Sequence, residues 1–265
     1  MIRLTIVVAL VAALALVGAA TASSGHPSSA AQTVVVPHGR PVQIAFAGDT
    51  TSIGAPFDLN ALQAVQSAIL AHPDVHGFPI QLNVVNAPCA DPAGDVAAAQ
   101  SIVANAQNVG VLGQFCSGGF DESLAVYEAA DVVVVSGSAT APTLPPFGPT
   151  VFNRTAVADP GFDDWYAQVA ALPRDAAWRS AFAALFGSPP TDFADLYSDA
   201  AKVLLRSLLG TSWVDRNGNL VVDRTALARS VRHTRDLRGV TCTVTIDPAT
   251  GNRVDDQKAL ARCAG

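Results

Sequence analysis

A three-layer α/β fold, a parallel sheet with helices on both faces, follows from three features of the sequence. Between Val42 and Val135, segments with strand-like alternation are separated by segments with helical periodicity, a βαβαβαβ series. The connections have the length of a helix, which parallel neighbours require and hairpins do not. The run Val132-Val133-Val134-Val135 has no polar side, so it is expected to be a strand covered on both faces.

The first strand is expected at Val42-Gln43-Ile44-Ala45-Phe46. Leu59, Leu62, Val65 and Ile69 then form the apolar stripe of a helix that Pro73 stops. Alternation returns from Ile80 to Val85. Asp91-Pro92 opens a second helix, with proline in the first turn where its missing N–H costs no bond, and Val96, Ala99, Ile102 and Val103 face inward. Val109 to Gly113 is the third strand and Ser117 to Ala130 the third helix. After Phe152-Asn153-Arg154 the pattern changes: residues 159 to 190 hold four prolines and no β-branched run, so no strand is expected there. Thr191 reads as the N-cap of a helix with Asp192 and Asp195 in its positive first turn. Phe193, Leu196, Tyr197, Ala200, Leu204 and Leu208 lie on one face of that helix, which Gly210 ends. Asp223 caps a shorter helix carrying Leu227 and Val231, and Thr241 to Ile246 reads as a late strand or hairpin.

At the front, Met1-Ile2-Arg3 precedes an apolar run from Leu4 to Ala20 and the small-residue site Ala20-Thr21-Ala22, the order of a cleaved signal peptide over residues 1–22. A membrane anchor is the competing reading, because the run approaches the ~20 residues that span a bilayer. The following Ser/Ala/Pro/Gly stretch, residues 23–41, carries no stop-transfer charges and reads as a linker, which favours cleavage and a secreted or periplasmic protein without stable membrane insertion. Losing Arg3 with the leader takes the formal charge from −6 to −7, which gives the chain no reason to seek nucleic acid. With 50% hydrophobic residues it can bury a substantial core. Four cysteines in an exported chain suggest two disulfides, with three pairings open.

Ligands of parallel sheets bind beyond the carboxyl ends of the strands. The loops expected there, Ala47 to Gly54, Gln114 to Gly119 and Ser136 to Thr140, are small, glycine-rich and hydroxyl-bearing. Free backbone N–H groups beside Ser and Thr hydroxyls favour an anionic group such as a carboxylate. The same Ser117 and Thr140 fit plain caps, and Asp49 a plain turn. Neither glycine-rich phosphate motif occurs. Catalysis finds no support: there is no G-x-S-x-G, no H-E-x-x-H, and no histidine near a candidate nucleophile. No cysteine or histidine spacing suits zinc, and no cofactor is implied. His233 lies among Arg229, Arg232 and Arg235 on a solvated basic face. Asp215 to Asn219 is close to a calcium loop, but its glycine is misplaced and Ala226 stands where the bidentate Glu belongs, so it reads as a turn.

The first loop with Asp49, Ser52, Ile53 and Gly54, then Cys89, Cys116-Ser117 and Val135-Ser136-Gly137-Ser138-Ala139-Thr140, resemble in order the N-terminal lobe of type I periplasmic solute-binding proteins of the Leu/Ile/Val group. Phe186 to Pro190, Tyr197 to Ala201 and Gly239-Val240-Thr241 resemble that family's C-terminal part. The resemblance implies disulfides Cys89–Cys116 and Cys242–Cys263. It also implies an amino acid held by Ser117, Ser138, Ala139 and Thr140, with Ile53 at a position often aromatic in the family. It further implies a division into an N-terminal α/β lobe over 42–157, a shortened crossover over 158–177 replacing the second lobe, and helices and a hairpin over 178–265 completing the first lobe. The expected function is a non-enzymatic solute-binding protein, or a remnant of one, of a branched-chain amino acid ABC uptake system, with a small amino-acid-like ligand and an ABC permease as partners. An internally deleted, non-binding paralogue or sensor module is the alternative, and an exported hydrolase ranks behind both.

Overall fold

The structure, a computed structural model, describes residues 32–51, 55–89, 91–144 and 152–265. The signal-peptide reading of residues 1–22 and the site residue Ile53 lie outside the described residues. Strand β1 (Thr33–Val36) precedes β2 (Val42–Gly48), and helix α1 (Ala55–Ala71) leads to a short β3 (Asp74–Val75) and a long β4 (Phe78–Asn86). Then come α2 (Pro92–Ala104), β5 (Asn108–Leu112), α3 (Ser117–Ala129), β6 (Val133–Ser136) and β7 (Phe152–Arg154). Three helices follow, α4 (Phe162–Ala170), α5 (Pro173–Phe186) and α6 (Ala194–Thr211). The chain continues through β8 (Ser212–Val214), β9 (Leu220–Asp223), α7 (Arg224–Arg232), β10 (Leu237–Arg238), β11 (Thr243–Val244) and α8 (Gln257–Ala264).

The main sheet has the order β3-β4-β2-β5-β6-β7 and is parallel from β4 to β7. Period-two alternation divides its side chains between two cores. Val42, Ile44, Phe46, Val133 and Val135 face a cluster shared with α1, α6 and α7. Ala45, Ala47, Val111, Val134 and Phe152 face α2 and α3. The four valines are thus buried from both sides, as their lack of a polar face requires. Helix α6 carries the larger core, with Tyr197, Ala200, Leu204 and Leu208 fully buried in it, while Leu196 is buried in a separate cluster with Trp165 and Val169. Between β7 and α6 the described residues form two helices and no strand.

Several expectations are corrected. Residues 33–36 of the supposed linker are β1, paired antiparallel with β9 in a three-stranded sheet β1-β9-β8 that the sequence reading did not contain. Val34 and Val36 drive that pairing by packing into the larger core. Of the expected α1 stripe, Val65 is buried and Leu62 and Ile69 pack half-buried against the larger core, whereas Leu59 is exposed; Ala61, Ala64 and Ala68 are buried as well, because small residues let α1 approach α6 closely. Thr191 is not an N-cap: Phe193, at φ 70°, holds that place, Asp192 lies outside the helix and Gly210 lies inside it. The boundary expected between residues 177 and 178 falls within α5. The expected strand or hairpin at Thr241 to Ile246 is present, though short: β11 pairs antiparallel with β10, and Ile246 bridges to Arg253. Asp223 does cap α7, accepting from the N–H of Ala226 at 3.0 Å.

Candidate functional site

The loops that leave β2, β4, β5 and β6 at their carboxyl ends gather at one rim of the sheet, and a disulfide ties two of them. Cys89, after β4, is bonded to Cys116, before α3, with Cα atoms 5.3 Å apart. Cys242 and Cys263 form the second bridge, at 5.8 Å, which fastens α8 to the chain beside β11. Both pairings are those the family resemblance implied.

Ser117 and the loop after β6 meet directly: Ser117 Oγ accepts from the N–H of Ala141 at 3.2 Å. Ser138 Oγ donates to the Phe115 carbonyl at 2.8 Å and stands 3.1 Å from the Tyr197 hydroxyl, so Ser138 braces the loops after β5 and β6 against α6. The N–H of Ala139 donates to Ser136 Oγ at 3.1 Å, and Ala139 itself is buried. Thr140 Oγ1 donates to Asp159 Oδ2 at 2.9 Å, and the Asp159 N–H returns a bond to the Thr140 carbonyl at 3.0 Å. Ser117, Ser138, Ala139 and Thr140 therefore form one cluster. Ser117 and Thr140 are half-buried at its open side, and Ser138 and Ala139 lie behind them.

Several residues that organise this rim carried no sequence signal for it. Arg154, at the end of β7, is buried and sends Nη1 to the carbonyls of Ala139 (2.5 Å) and Ala141 (3.1 Å), holding the Thr140 loop from below. Burial lowers its pKa to about 10, against the raising effect of Asp159, and it remains a cation at neutral pH. Tyr197 reached the site through the helical stripe, where it read as core. Gly137 lets it in: a Cβ there would stand 2.6 Å from the Tyr197 ring. Asp49, weighed as a plain turn, is fully buried and accepts from the N–H groups of Thr51 (3.2 Å) and Cys89 (3.3 Å).

Beneath the rim sit two carboxyls in the first turns of α1 and α2. Asp58 accepts from the Asp49 N–H in a short bond, and Asp95 Oδ1 accepts from Gln114 Nε2 at 3.2 Å. Burial raises Asp58 to about 8, opposed by the Asp49 N–H and reinforced by the charges of Asp49 and Asp95. Burial likewise raises Asp95 to about 7, reinforced by Asp91 and Asp49. An aromatic stack flanks the same end: Phe115 lies parallel to Tyr197 at 5.7 Å and edge-on to Phe193, which stacks in turn on Phe162 at 5.4 Å.

Elsewhere, Asp215 to Asn219 is the β8–β9 turn, with Asp215 Oδ1 accepting from the N–H groups of Asn217 and Asn219 at 2.8 Å each. No group of three or more metal-ligating side chains occurs among the described residues. No helix among them is long and apolar enough to cross a membrane.

No family model matches the chain, and no curated protein matches its sequence. Solved structures do match. The branched-chain amino acid transporter substrate binding protein from Streptococcus pneumoniae, in complex with isoleucine, aligns over 81% of this chain and 94% of its own at 13% identity and a TM-score of 0.67. A leucine binding protein from Thermotoga maritima aligns over 80% and 93%, at 14% identity and 0.65. A solute binding protein of an ABC transporter from Rhodopseudomonas palustris, in complex with 3,4-dihydroxybenzoic acid, aligns over 81% and 91%, at 12% identity and 0.67. At 265 residues the chain is short relative to the full fold. With a parallel sheet between two helical layers and a loop cluster at the strand ends, the chain has the fold of the type I periplasmic binding proteins.

Proposed function

We propose that this chain is an extracytoplasmic solute-binding protein of an ABC-type uptake system, working with one lobe and an ABC permease, and that its rim takes an amino acid in preference to a simple carboxylate. Neighbours in complex with isoleucine and with dihydroxybenzoic acid support a solute-binding role and leave both ligand classes open. The observation that favours the amino acid is the placement of Asp159 on Thr140, next to the amino end of α3. The first-turn N–H groups of α3 and the Ser117 hydroxyl suit a carboxylate. The Asp159 carboxylate suits an ammonium group and repels a ligand that carries only negative charge. In this reading Ser117 and Thr140 touch the solute, while Ser138 and Ala139 hold the loop behind them.

With one lobe, half of a small solute stays wet, so affinity is modest; binding sites otherwise enclose most of a ligand's surface. Titration of the purified protein with leucine, 4-methylpentanoate and benzoate tests the reading by NMR. Leucine is expected to bind with a Kd no tighter than ~0.1 mM. The amine-free analogue should be at least ~10-fold weaker, the worth of one charge-assisted hydrogen bond. Asp159→Asn should remove that difference, and equal affinities in the wild type would overturn the reading. A second reading, a non-binding paralogue, is favoured by the Ala139 N–H and Ser138 hydroxyl being already spent inside the chain. Absence of any saturable shift would select it.

A further inference from the structure

A cavity lies at the other end of the sheet from the rim. It is a groove of about 590 Å³ between the end of α1, the β3–β4 turn, the second half of α6 and β10. That volume is within the ~300–1,000 Å³ of small-molecule sites. Ile80, in its wall, stands six residues before Asn86 along β4, a separation of ~20 Å at the usual rise per strand residue. The floor is apolar and firmly packed: Val75, Leu205 and Leu237 are buried, and Leu209 forms an exposed apolar lip.

The rest of the lip is cationic. Lys202, Arg206 and Arg238 line the groove against a single carboxylate, Asp74. Asp74 Oδ1 is occupied in part by the N–H of Gly77 at 2.9 Å. Lys202 stands 3.8 Å from buried Asp199, whereas Arg206 and Arg238 are exposed and form no ion pair among the described residues. In a chain of net charge −6, three cations around one apolar trough are a local reversal of sign. Such a site matches an occupant with an aliphatic body and one anionic end.

We propose that this groove is a second binding site, separate from the rim, for an aliphatic carboxylate, with its chain on Val75, Leu205 and Leu237 and its head group between Arg206 and Arg238. Arginine suits this role because its planar fork pairs a carboxylate through two bonds.

Decanoate, titrated below its micellar concentration into the full chain, tests the site by calorimetry, with decanol and decyltrimethylammonium as the uncharged and cationic controls. One decanoate should bind per chain, and both controls should bind at least ~10-fold more weakly. Arg206→Glu with Arg238→Glu should weaken decanoate by a similar factor, with the thermal transition unchanged because both side chains are exposed. Should that double variant misfold, Arg238→Gln alone must show a smaller loss in the same direction. No saturable binding, equal binding of decyltrimethylammonium, or undiminished binding by the folded variants would overturn the proposal. Asp159→Asn must leave decanoate binding unchanged, which separates this site from the rim.

Discussion

Asp58 and Asp95 hold protons at a pH where exposed aspartates have lost them, because each is buried beneath the rim beside other carboxyls. Their folded values, about 8 and about 7, lie above the ordinary aspartate value of 3.8. Between those limits the folded chain binds more protons than the unfolded one. The stability they contribute is therefore complete below the unfolded value and is lost as pH rises through the folded values. The melting temperature should fall by ~5 °C or more from pH 5 to pH 8.5, and Asp58→Asn should flatten that slope; a melting temperature that rises over this interval would contradict the burial of both groups. Arg154 is the other decisive residue. Its guanidinium is what holds the carbonyls of Ala139 and Ala141 in place. Neither the carboxyls nor Arg154 could be assigned from the sequence, since burial and partners are set by chain segments far away.

At the scale of elements, the loop after β11 and helix α8 owe their position to side-chain ties more than to strand pairing. Asp199 on α6 accepts from the N–H groups of Val240 and Thr241. Arg253, buried, donates to the carbonyls of Thr155, Thr241 and Thr243 at 3.0, 2.8 and 2.9 Å and lies 4.7 Å over the Trp165 ring. The Cys242–Cys263 bridge closes a segment of 21 residues. Replacing both cysteines by serine should cost ~3 kcal/mol of unfolding free energy, the entropy of a loop of that size. Chemical denaturation of the oxidised parent and the double variant measures it, and a loss under ~1 kcal/mol would show that Asp199 and Arg253 hold the segment without the bridge. Helices α1, α2, α3 and α6 were readable from spacing, although the weight given to Leu59 over Ala61 and Ala64 misplaced one face. Strands β1, β8 and β9 were not, because each is three or four residues long and its identity depends on its partner.

For the whole molecule, two cores share one parallel sheet, and the described residues between β7 and α6 supply helices in place of a second sheet. Two-lobed binding proteins close by hinge motion around their ligand. On the proposed one-lobe reading the chain has no such motion to make. Small-angle scattering should therefore give the same radius of gyration with and without saturating leucine. Contraction on adding leucine would mean that α4 and α5 act as a closing element.

What the sequence determined by itself was the layer order, the parallel sheet from Val42 to Val135, the strand-free stretch before α6 and the set of loops at the strand ends. Periods of 2 and 3.6, prolines and helix-length connections are local properties, legible without knowing what touches what. Tertiary structure alone decided that Thr33 to Val36 is a strand, that Arg154 and Asp159 belong to the rim, and that Ser138 and Ala139 are committed internally. It also decided that arginines gather over an apolar groove at the far end. Each of those depends on groups brought together from distant parts of the chain, and a spacing rule carries no information about such meetings.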